Sequence, residues 1–271
     1  METGERKRMI GVQLFGLSDL LKKDRRASLQ RLRDMGIEAV EPYLPLKKDN
    51  LADFEILFDE LKDLGLSVPS IHVSPSLFGR QAAKISRELR LIQEKTSISV
   101  FVFSGMFSRE KSAQKWGRLL GDVSKEVRSN GITVLYHNHN MEFLPAADGG
   151  RTALDVFFDA AGNDVKLQLD IGWAGIAGDE IAFAEKNADR IVEIHCKDFY
   201  EGAKEKYSLF TMPKSMFAPI GEGVIKTKEI LSRRNTFPNF NSVVLIDQDQ
   251  SAGSLLEDIE TGFHNLKEIL S

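Results

Sequence analysis

The sequence predicts an α/β protein folded as a single (β/α)8 barrel over residues 1–271, and three observations carry that expectation. The chain has 271 residues, close to the ~250 typical of such a barrel. A unit of amphipathic helix, glycine and short apolar strand recurs. It appears at Arg33-Asp34-Met35-Gly36-Ile37-Glu38-Ala39-Val40-Glu41, at Lys62-Asp63-Leu64-Gly65-Leu66-Ser67-Val68 and at Arg128-Ser129-Asn130-Gly131-Ile132. Gly36 and Gly65 are 29 residues apart, and Gly65 and Gly131 are 66 apart. Eight units of about this size account for the chain, and strands alternating with helices at such a period imply βαβ units and a parallel sheet.

Eight strands are expected, at 9–15, 39–42, 70–73, 99–104, 133–137, 166–170, 192–197 and 243–247. Several are continuous apolar runs, as strands buried on both faces require. The glycine of each repeat suits the left-handed position just past a helix C-terminus, where other residues are strained. Between the strands, Leu51, Phe54, Leu57, Phe58, Leu61 and Leu64 form a three/four-spaced stripe. Leu255, Leu256, Ile259, Phe263, Leu266 and Ile269 form another, and both stripes are read as faces packed on a sheet. Residues 199–223, with Gly202, Pro213, Pro219, Gly221 and Gly223, are the least regular part and are expected to form a long loop. No G-x-G-x-x-G follows the first strand, which weakens a dinucleotide-binding alternative.

Composition narrows the function. The net charge of −4 argues against nucleic acid as a partner, because phosphate neutralisation needs clustered Lys and Arg. Cys196 is the one cysteine, so neither a disulfide framework nor a cysteine zinc site is expected. The charged start, Met1 to Arg8, has no apolar segment behind it, so no signal peptide is expected. No apolar run approaches the ~20 residues that span a bilayer. A cytoplasmic protein without a membrane partner is the expectation.

The chemistry gathers at the strand ends. The run Ile132-Thr133-Val134-Leu135 opens directly into Tyr136-His137-Asn138-His139-Asn140-Met141-Glu142-Phe143. Burying so many unpaired polar groups in a core would cost several kcal/mol, so this strand is read as delivering ligands to a polar pocket. Of five histidines, His72, His137, His139 and His195 fall at or just beyond strand C-termini, and only His264 lies in a predicted helix, where it is read as solvated. Glu41, Asp170, Asp198, Asp247 and Asp249 fall at strand ends too. In a parallel barrel all of these meet on one rim, where active sites sit, and a mixed His/carboxylate set suits a divalent metal. Asp170 alone would serve equally as the cap of the next helix. In Ile194-His195-Cys196-Lys197-Asp198 the two-residue period sends His195 and Lys197 one way and Cys196, read as a buried inert thiol, the other. A neutral imidazole suits a metal, and Lys197 suits an anionic or developing enolate oxygen. Gly221-Glu222-Gly223 is read as a tight turn or a lid, the sequence not choosing between them.

Tyr136-His137-Asn138-His139 with Glu142-Phe143, Leu169-Asp170-Ile171-Gly172-Trp173, Ile194-His195-Cys196-Lys197-Asp198, Gly221-Glu222-Gly223 and Ile246-Asp247-Gln248-Asp249 together resemble the xylose isomerase-like barrel family. That family holds sugar isomerases and epimerases, inosose dehydratases and the endonuclease IV group. The resemblance covers nearly the whole chain, and it is specific for the superfamily and weak for the substrate. It implies one divalent metal (manganese, cobalt, zinc or magnesium) at the C-terminal rim, with ligands usually Glu, Asp, His and Glu from the last four strands. Carried over, the Asp is Asp170 and the His is His195. At the last strand the usual glutamate is Asp247, one methylene shorter. At the fifth predicted strand the usual glutamate position is His137, so either His137 is the ligand or Glu142 reaches back to replace it.

The resemblance implies an isomerase or epimerase, or a dehydratase or lyase, acting on a sugar, keto-sugar or cyclic polyol through a metal-stabilised enediolate. Glu142, Asp247 and His139 are the candidates to move the proton. Glu41, His72, Trp173 and Lys197 are expected to contact substrate. An endonuclease IV-type phosphodiesterase is disfavoured: it needs about three zinc ions, and Trp173 stands where that group has a histidine. A non-catalytic sugar-binding barrel is the remaining alternative, with Asp247 as its support. Homo-oligomers are common among such barrels, and no stretch of the sequence marks an interface.

Overall fold

The computed structural model of the protein describes residues 8–45, 51–74, 81–145, 150–207 and 212–271; the charged start, residues 1–7, lies outside them. In chain order the elements are β1 (Met9–Gln13), α1 (Ser18–Lys23), α2 (Arg25–Asp34), β2 (Ala39–Glu41), β3 (Tyr43–Pro45), α3 (Leu51–Asp63), β4 (Ile71–Ser74), α4 (Ala82–Thr96) and β5 (Val100–Phe103). There follow α5 (Glu110–Val127), β6 (Thr133–His137), α6 (Ala153–Ala161), β7 (Val165–Asp170), α7 (Ile171–Ala177), α8 (Glu180–Lys186) and β8 (Ile191–Cys196). The last are β9 (Asp198–Phe199), α9 (Ala203–Lys206), β10 (Phe217–Ala218), α10 (Thr227–Ser232), β11 (Val243–Ile246) and α11 (Leu255–Leu270).

Nine of the strands form one parallel sheet in the order β2-β1-β11-β8-β7-β6-β5-β4-β3. The sheet curls until its ends meet. Val40 N–H donates to Ser67 O (2.9 Å) and Ser67 N–H donates to Glu38 O (2.8 Å), which joins β2 to the segment leading into β4. The second barrel position is thus two short strands where the sequence suggested one. The break falls at Pro42, which has no N–H to give a ladder, while its carbonyl still accepts from His72 N–H at 2.9 Å.

The strands alternate. Val12, Val40, Ile71, Val73, Phe101, Phe103, Val134, Tyr136, Leu167, Leu169, Ile194, Cys196, Val244 and Ile246 all belong to one apolar core between sheet and helices. The intervening residues point into the barrel, and many are polar: Gln13, Glu41, Ser70, His72, His137, Gln168, Asp170, Glu193 and His195, all buried. Period two therefore separates a packing face from a chemical face on the same strands. The two helical stripes pack as expected, with Phe54, Leu61, Ile259, Phe263 and Leu266 buried. Gly36, Gly65 and Gly131 carry φ of +93°, +65° and +73°, as the helix–glycine–strand repeat requires. His264 is exposed on α11.

Residues 199–223 are more ordered than their composition suggested, though 208–211 lie outside the described residues. β9 and β10 pair antiparallel as a small ribbon. The Asp198 carboxylate accepts from the backbone N–H groups of Phe199 (2.8 Å), Gly221 (2.9 Å), Gly223 (3.1 Å) and Ile225 (3.0 Å). Gly221-Glu222-Gly223 is thus a tight turn wrapped on one carboxylate. A Cβ at Gly223 would stand 2.2 Å from Asp198 Oδ1, so no larger residue fits there without moving the turn.

Candidate metal centre and substrate pocket

Four consecutive strands of the sheet each deliver one side chain to the same point. His137 ends β6, Asp170 ends β7, His195 lies in β8, and Asp247 follows β11. One ligand atom from each lies within 4.8 Å of the others, and all four residues are buried. The mixed nitrogen and carboxylate donor set suits a divalent cation of the manganese-to-zinc series.

Asp170 is held from both ends. The Asn138 side-chain amide donates to Asp170 O (3.0 Å), and Asn138 Oδ1 accepts from Asp170 N–H (3.1 Å). Oδ1 of Asp170 caps α7 by accepting from Trp173 N–H at 2.8 Å. Oδ2 is buried with no hydrogen-bond partner and faces Lys197 Nζ (3.4 Å) and His137 Nε2 (3.7 Å). One oxygen of this carboxylate therefore caps the helix while the other is left facing the cluster. The turn after Asp170 presses on the residue that follows β8: a Cβ at Gly172 would stand 2.7 Å from Lys197 O.

His137 is oriented from behind. Gln168 Nε2 donates to Glu41 Oε2 (2.6 Å) and to Glu193 Oε2 (3.0 Å). That fixes the amide, so Gln168 Oε1 must accept from His137 Nδ1–H at 2.9 Å. The proton on Nδ1 leaves the Nε2 lone pair facing Asp170 and Asp247. Such a hydrogen bond behind a ligating imidazole fixes its tautomer. His195 sits between Asp247 Oδ2, 3.1 Å from Nδ1, and Glu41 Oε1, 3.4 Å from Nε2. Neither Glu41 Oε1 nor His195 Nε2 has a hydrogen-bond partner, so Nε2–H is placed to face the Glu41 carboxylate while Nδ1 turns to the cluster. Ser70 Oγ lies 2.7 Å from Glu41 Oε2 and 2.8 Å from Glu193 Oε2, closing a polar floor beneath the ligands.

The charges interlock. Burial pushes Asp170 up to about 7, against the pull of Lys197. Burial would also raise Asp247, but Lys197 and His195 outweigh it and hold that carboxyl well below the usual range. Glu41 is likewise held low, because His195 and His72 outweigh its burial. Burial would lower His195, yet Glu41 and Asp247 push it up to about 10. His137 is kept well below an ordinary histidine by burial and by the neighbouring His195 charge, so it stays a neutral donor. Lys197 is buried; its Nζ lies 2.5 Å from Asp249 Oδ2, 3.1 Å from Asp247 Oδ2 and 3.4 Å from Asp170 Oδ2, and 5.0 Å from the Trp173 ring centroid. Those carboxylates hold its ammonium charged against the cost of burial.

Above the cluster opens a cavity of about 410 Å³, lined by His72, His137, His139, Trp173, Lys197, Asp247 and Asp249 on its polar side and by Phe15, Tyr43, Met106, Met212 and Phe217 on its apolar side. His72, Trp173 and Lys197, which the sequence marked as substrate contacts, all line this cavity. Glu41 does not line the cavity; it lies fully buried beneath the histidines. Glu142 is outside the four-residue cluster. Its Oε1 accepts from Tyr136 Oη–H (2.6 Å) and its Oε2 from His139 N–H (3.0 Å), so both oxygens brace the turn after β6. Of the two fifth-strand alternatives, His137 is the one brought next to Asp170, His195 and Asp247. His139 lines the cavity, with Nδ1 3.9 Å from Glu142 Oε1. Burial and Lys197 lower it to about 3, so its imidazole is neutral. Cys196 points away into the core, its thiol pushed up by burial.

Sequence reasoning missed Gln168, Asn138, Ser70 and Glu193. Two of them carried a signal: Gln168 lies two residues before Asp170 and Glu193 two before His195, on the same faces of their strands.

The fold and the cluster define a (β/α)8 barrel with a candidate metal centre at its C-terminal rim. The chain belongs to the xylose isomerase-like TIM barrel family, whose model matches residues 29–252. Among solved structures it is similar over 100% of its length to 98% of a sugar phosphate isomerase/epimerase from Parabacteroides distasonis, at 18% identity and a TM-score of 0.76. It is also similar to a probable 3-DHS dehydratase from Bacillus anthracis, over 96% of this chain and 98% of that one, at 13% identity and a TM-score of 0.73. At these identities the likeness is one of fold. A curated relative, the rhizopine catabolism protein MocC of Rhizobium meliloti, is 28% identical over 91 residues, which span 33% of this chain and 27% of that protein. Among the described residues no helix is long and apolar enough to cross a membrane.

Proposed function

We propose that the protein is a divalent-metal-dependent isomerase or epimerase, or a dehydratase of the same proton-abstraction class, acting on a sugar, keto-sugar or cyclic polyol. The observation that carries this reading is the convergence of His137, Asp170, His195 and Asp247, with Asp170 Oδ2 buried in their midst without a hydrogen bond and 3.4 Å from Lys197 Nζ. A buried carboxylate oxygen without a hydrogen bond is costly, and a cation among the four side chains would offset that cost. The ion, when bound, supplies Lewis-acid polarisation of a carbonyl and its neighbouring hydroxyl, which acidifies the C–H between them.

The chain's own residues do the rest. Gln168 and Glu41 hold the proton of each imidazole away from the cluster. Asn138 and the α7 cap fix Asp170. Trp173 offers a ring to the apolar face of a sugar, and Lys197 places an ammonium beside the oxygen on which negative charge develops. His139 lines the cavity outside the four-residue cluster, with Glu142 behind its Nδ1, so position makes it the candidate to take and return the proton. Asp247 is committed to His195 and Lys197, and Glu142 to Tyr136 and the His139 backbone, which leaves both less free for that task. Return of the proton to another carbon gives isomerisation, return to the opposite face gives epimerisation, and loss of a β-hydroxyl gives dehydration.

The test is solvent deuterium incorporation. Ketoses, inososes and keto-glycosides are incubated in D2O with manganese-loaded protein, with chelator-treated protein and with His139→Gln. We expect deuterium at the carbon next to the carbonyl of at least one class, lost with chelator and reduced about 10²–10⁴-fold in His139→Gln. Exchange that survives complete metal removal would contradict the reading.

A further inference from the structure

Two neighbouring segments meet at the rim in two rungs. β8 and the residue after it bring up His195 and Lys197, and the chain after β11 brings up Asp247 and Asp249. On the inner rung His195 Nδ1 lies 3.1 Å from Asp247 Oδ2. On the outer rung Lys197 Nζ donates to Asp249 Oδ2 at 2.5 Å. The rungs share oxygens. Asp247 Oδ2 lies 3.1 Å from Lys197 Nζ as well as 3.1 Å from the inner imidazole. Asp170 Oδ2, buried and without a hydrogen bond, lies 3.4 Å from Lys197 Nζ and 3.7 Å from His137 Nε2. Two carboxylate oxygens therefore each face two places for positive charge. One is among the four inner side chains, and the other is filled by the ammonium. Sites that hold two divalent ions about 3.5–4 Å apart present carboxylates to both ions in this way. Here the outer place belongs to a side chain. An ammonium has three N–H donors. Three carboxylate oxygens stand within 3.4 Å of Nζ, and Lys197 is 1% exposed.

We propose that the Lys197 ammonium occupies the second cation position of what would otherwise be a two-ion centre, so that the chain takes up one divalent ion and carries its other positive pole built in. Asp249 is the ligand proper to the outer position, because it holds Lys197 and lies outside the four-residue cluster. Removing the ammonium leaves Asp170, Asp247 and Asp249 facing one another with like charge at a buried point. A second divalent ion relieves that repulsion. In the intact chain the outer pole cannot be chelated or exchanged, so it stays positive whichever ion is at hand. The inference rests on the reading of His137, Asp170, His195 and Asp247 as a metal centre.

The experiment counts manganese by calorimetric titration and elemental analysis. It compares chelator-treated wild type, Lys197→Ala, Asp249→Ala and Lys197→Ala/Asp249→Ala, with circular dichroism as the check on folding. We expect one ion in wild type and in Asp249→Ala, two in Lys197→Ala, and one again in the double variant, which lacks the ligand of the outer position. Electron paramagnetic resonance should show an isolated manganese in wild type. In Lys197→Ala it should show exchange coupling between ions about 3.5–4 Å apart. Lys197→Gln, which loses the charge and keeps part of the stem, should also bind two ions and carries the test if the alanine variant does not fold. A folded Lys197 variant that binds one ion or none would overturn the proposal. So would a second ion retained in the double variant, or two ions in wild type. In those cases wild type still binds manganese and the metal-centre reading stands. Wild type that takes up no manganese would instead sink that reading, and the proposal with it.

Discussion

Gln168 shows how a residue with no chemistry of its own sets the chemistry of its neighbour. Its amide is pinned by two carboxylates, and the pinned oxygen holds the His137 proton on Nδ1. Gln168→Leu removes that constraint at nearly the same volume. We expect metal affinity to fall about 10–100-fold while the far-ultraviolet spectrum is unchanged, checked by calorimetric titration. The protonation of the ligands gives a second prediction at this scale. Without metal His195 is raised to about 10 and Asp170 to about 7, so at neutral pH the cluster holds a proton that an ion must displace. Raised values mean that the protons are bound below those pH values and leave above them. Affinity should therefore increase with pH, by about one log unit per pH unit between roughly 7.5 and 9.5 and more steeply below 7. A flat profile over that range would show that no ligand is protonated in the metal-free state.

At the scale of elements, the loops are held by single carboxylates. Asp198 gathers the amides of Phe199, Gly221, Gly223 and Ile225, tying the end of β9 to the turn before α10. Asp198→Ala leaves those donors without their acceptor, and a loss of roughly 2–4 kcal/mol in urea denaturation is expected. Thr152→Ala, which breaks the capping box that opens α6, should cost about 1 kcal/mol by the same measurement. The elements themselves were largely legible. Strand positions followed from short apolar runs and from glycines after helices, since both signals are local. The Pro42 break was visible as a residue but not as a division, because the partner of each half lies elsewhere in the chain. The roles of Glu41 and Glu142 were hidden for the same reason. A carboxylate at a strand end reads as ligand or substrate contact until Tyr136 Oη and the His139 amide are seen to claim Glu142, and until Glu41 is seen beneath His72 and His195. Asp170, by contrast, was legible both as cap and as candidate ligand: its Oδ1 caps α7 and the residue stands in the four-residue cluster.

At the scale of the whole molecule, barrel closure makes a site from residues far apart in the chain. His137 and Asp247 meet because β6 and β11 are separated in the curled sheet only by β7 and β8, although the two residues are 110 positions apart in the chain. The outer face carries the packing and the inner face the polar groups, so the interior gathers buried acidic and basic side chains at one point. Binding an ion there should stabilise the entire barrel by mass action, about 2.7 kcal/mol at a hundredfold excess over Kd. For a chain of this size that is a rise of roughly 5–10 °C in melting temperature on adding manganese to chelator-treated protein, read by calorimetry. The most direct measurement is elemental analysis of protein purified without chelator, with Asp170→Ala and His195→Ala in parallel. We expect close to one manganese, cobalt, zinc or iron per chain in the wild type and a loss from both variants. No metal in the wild type, even after reconstitution, or metal retained in both variants, would contradict the assignment of the site.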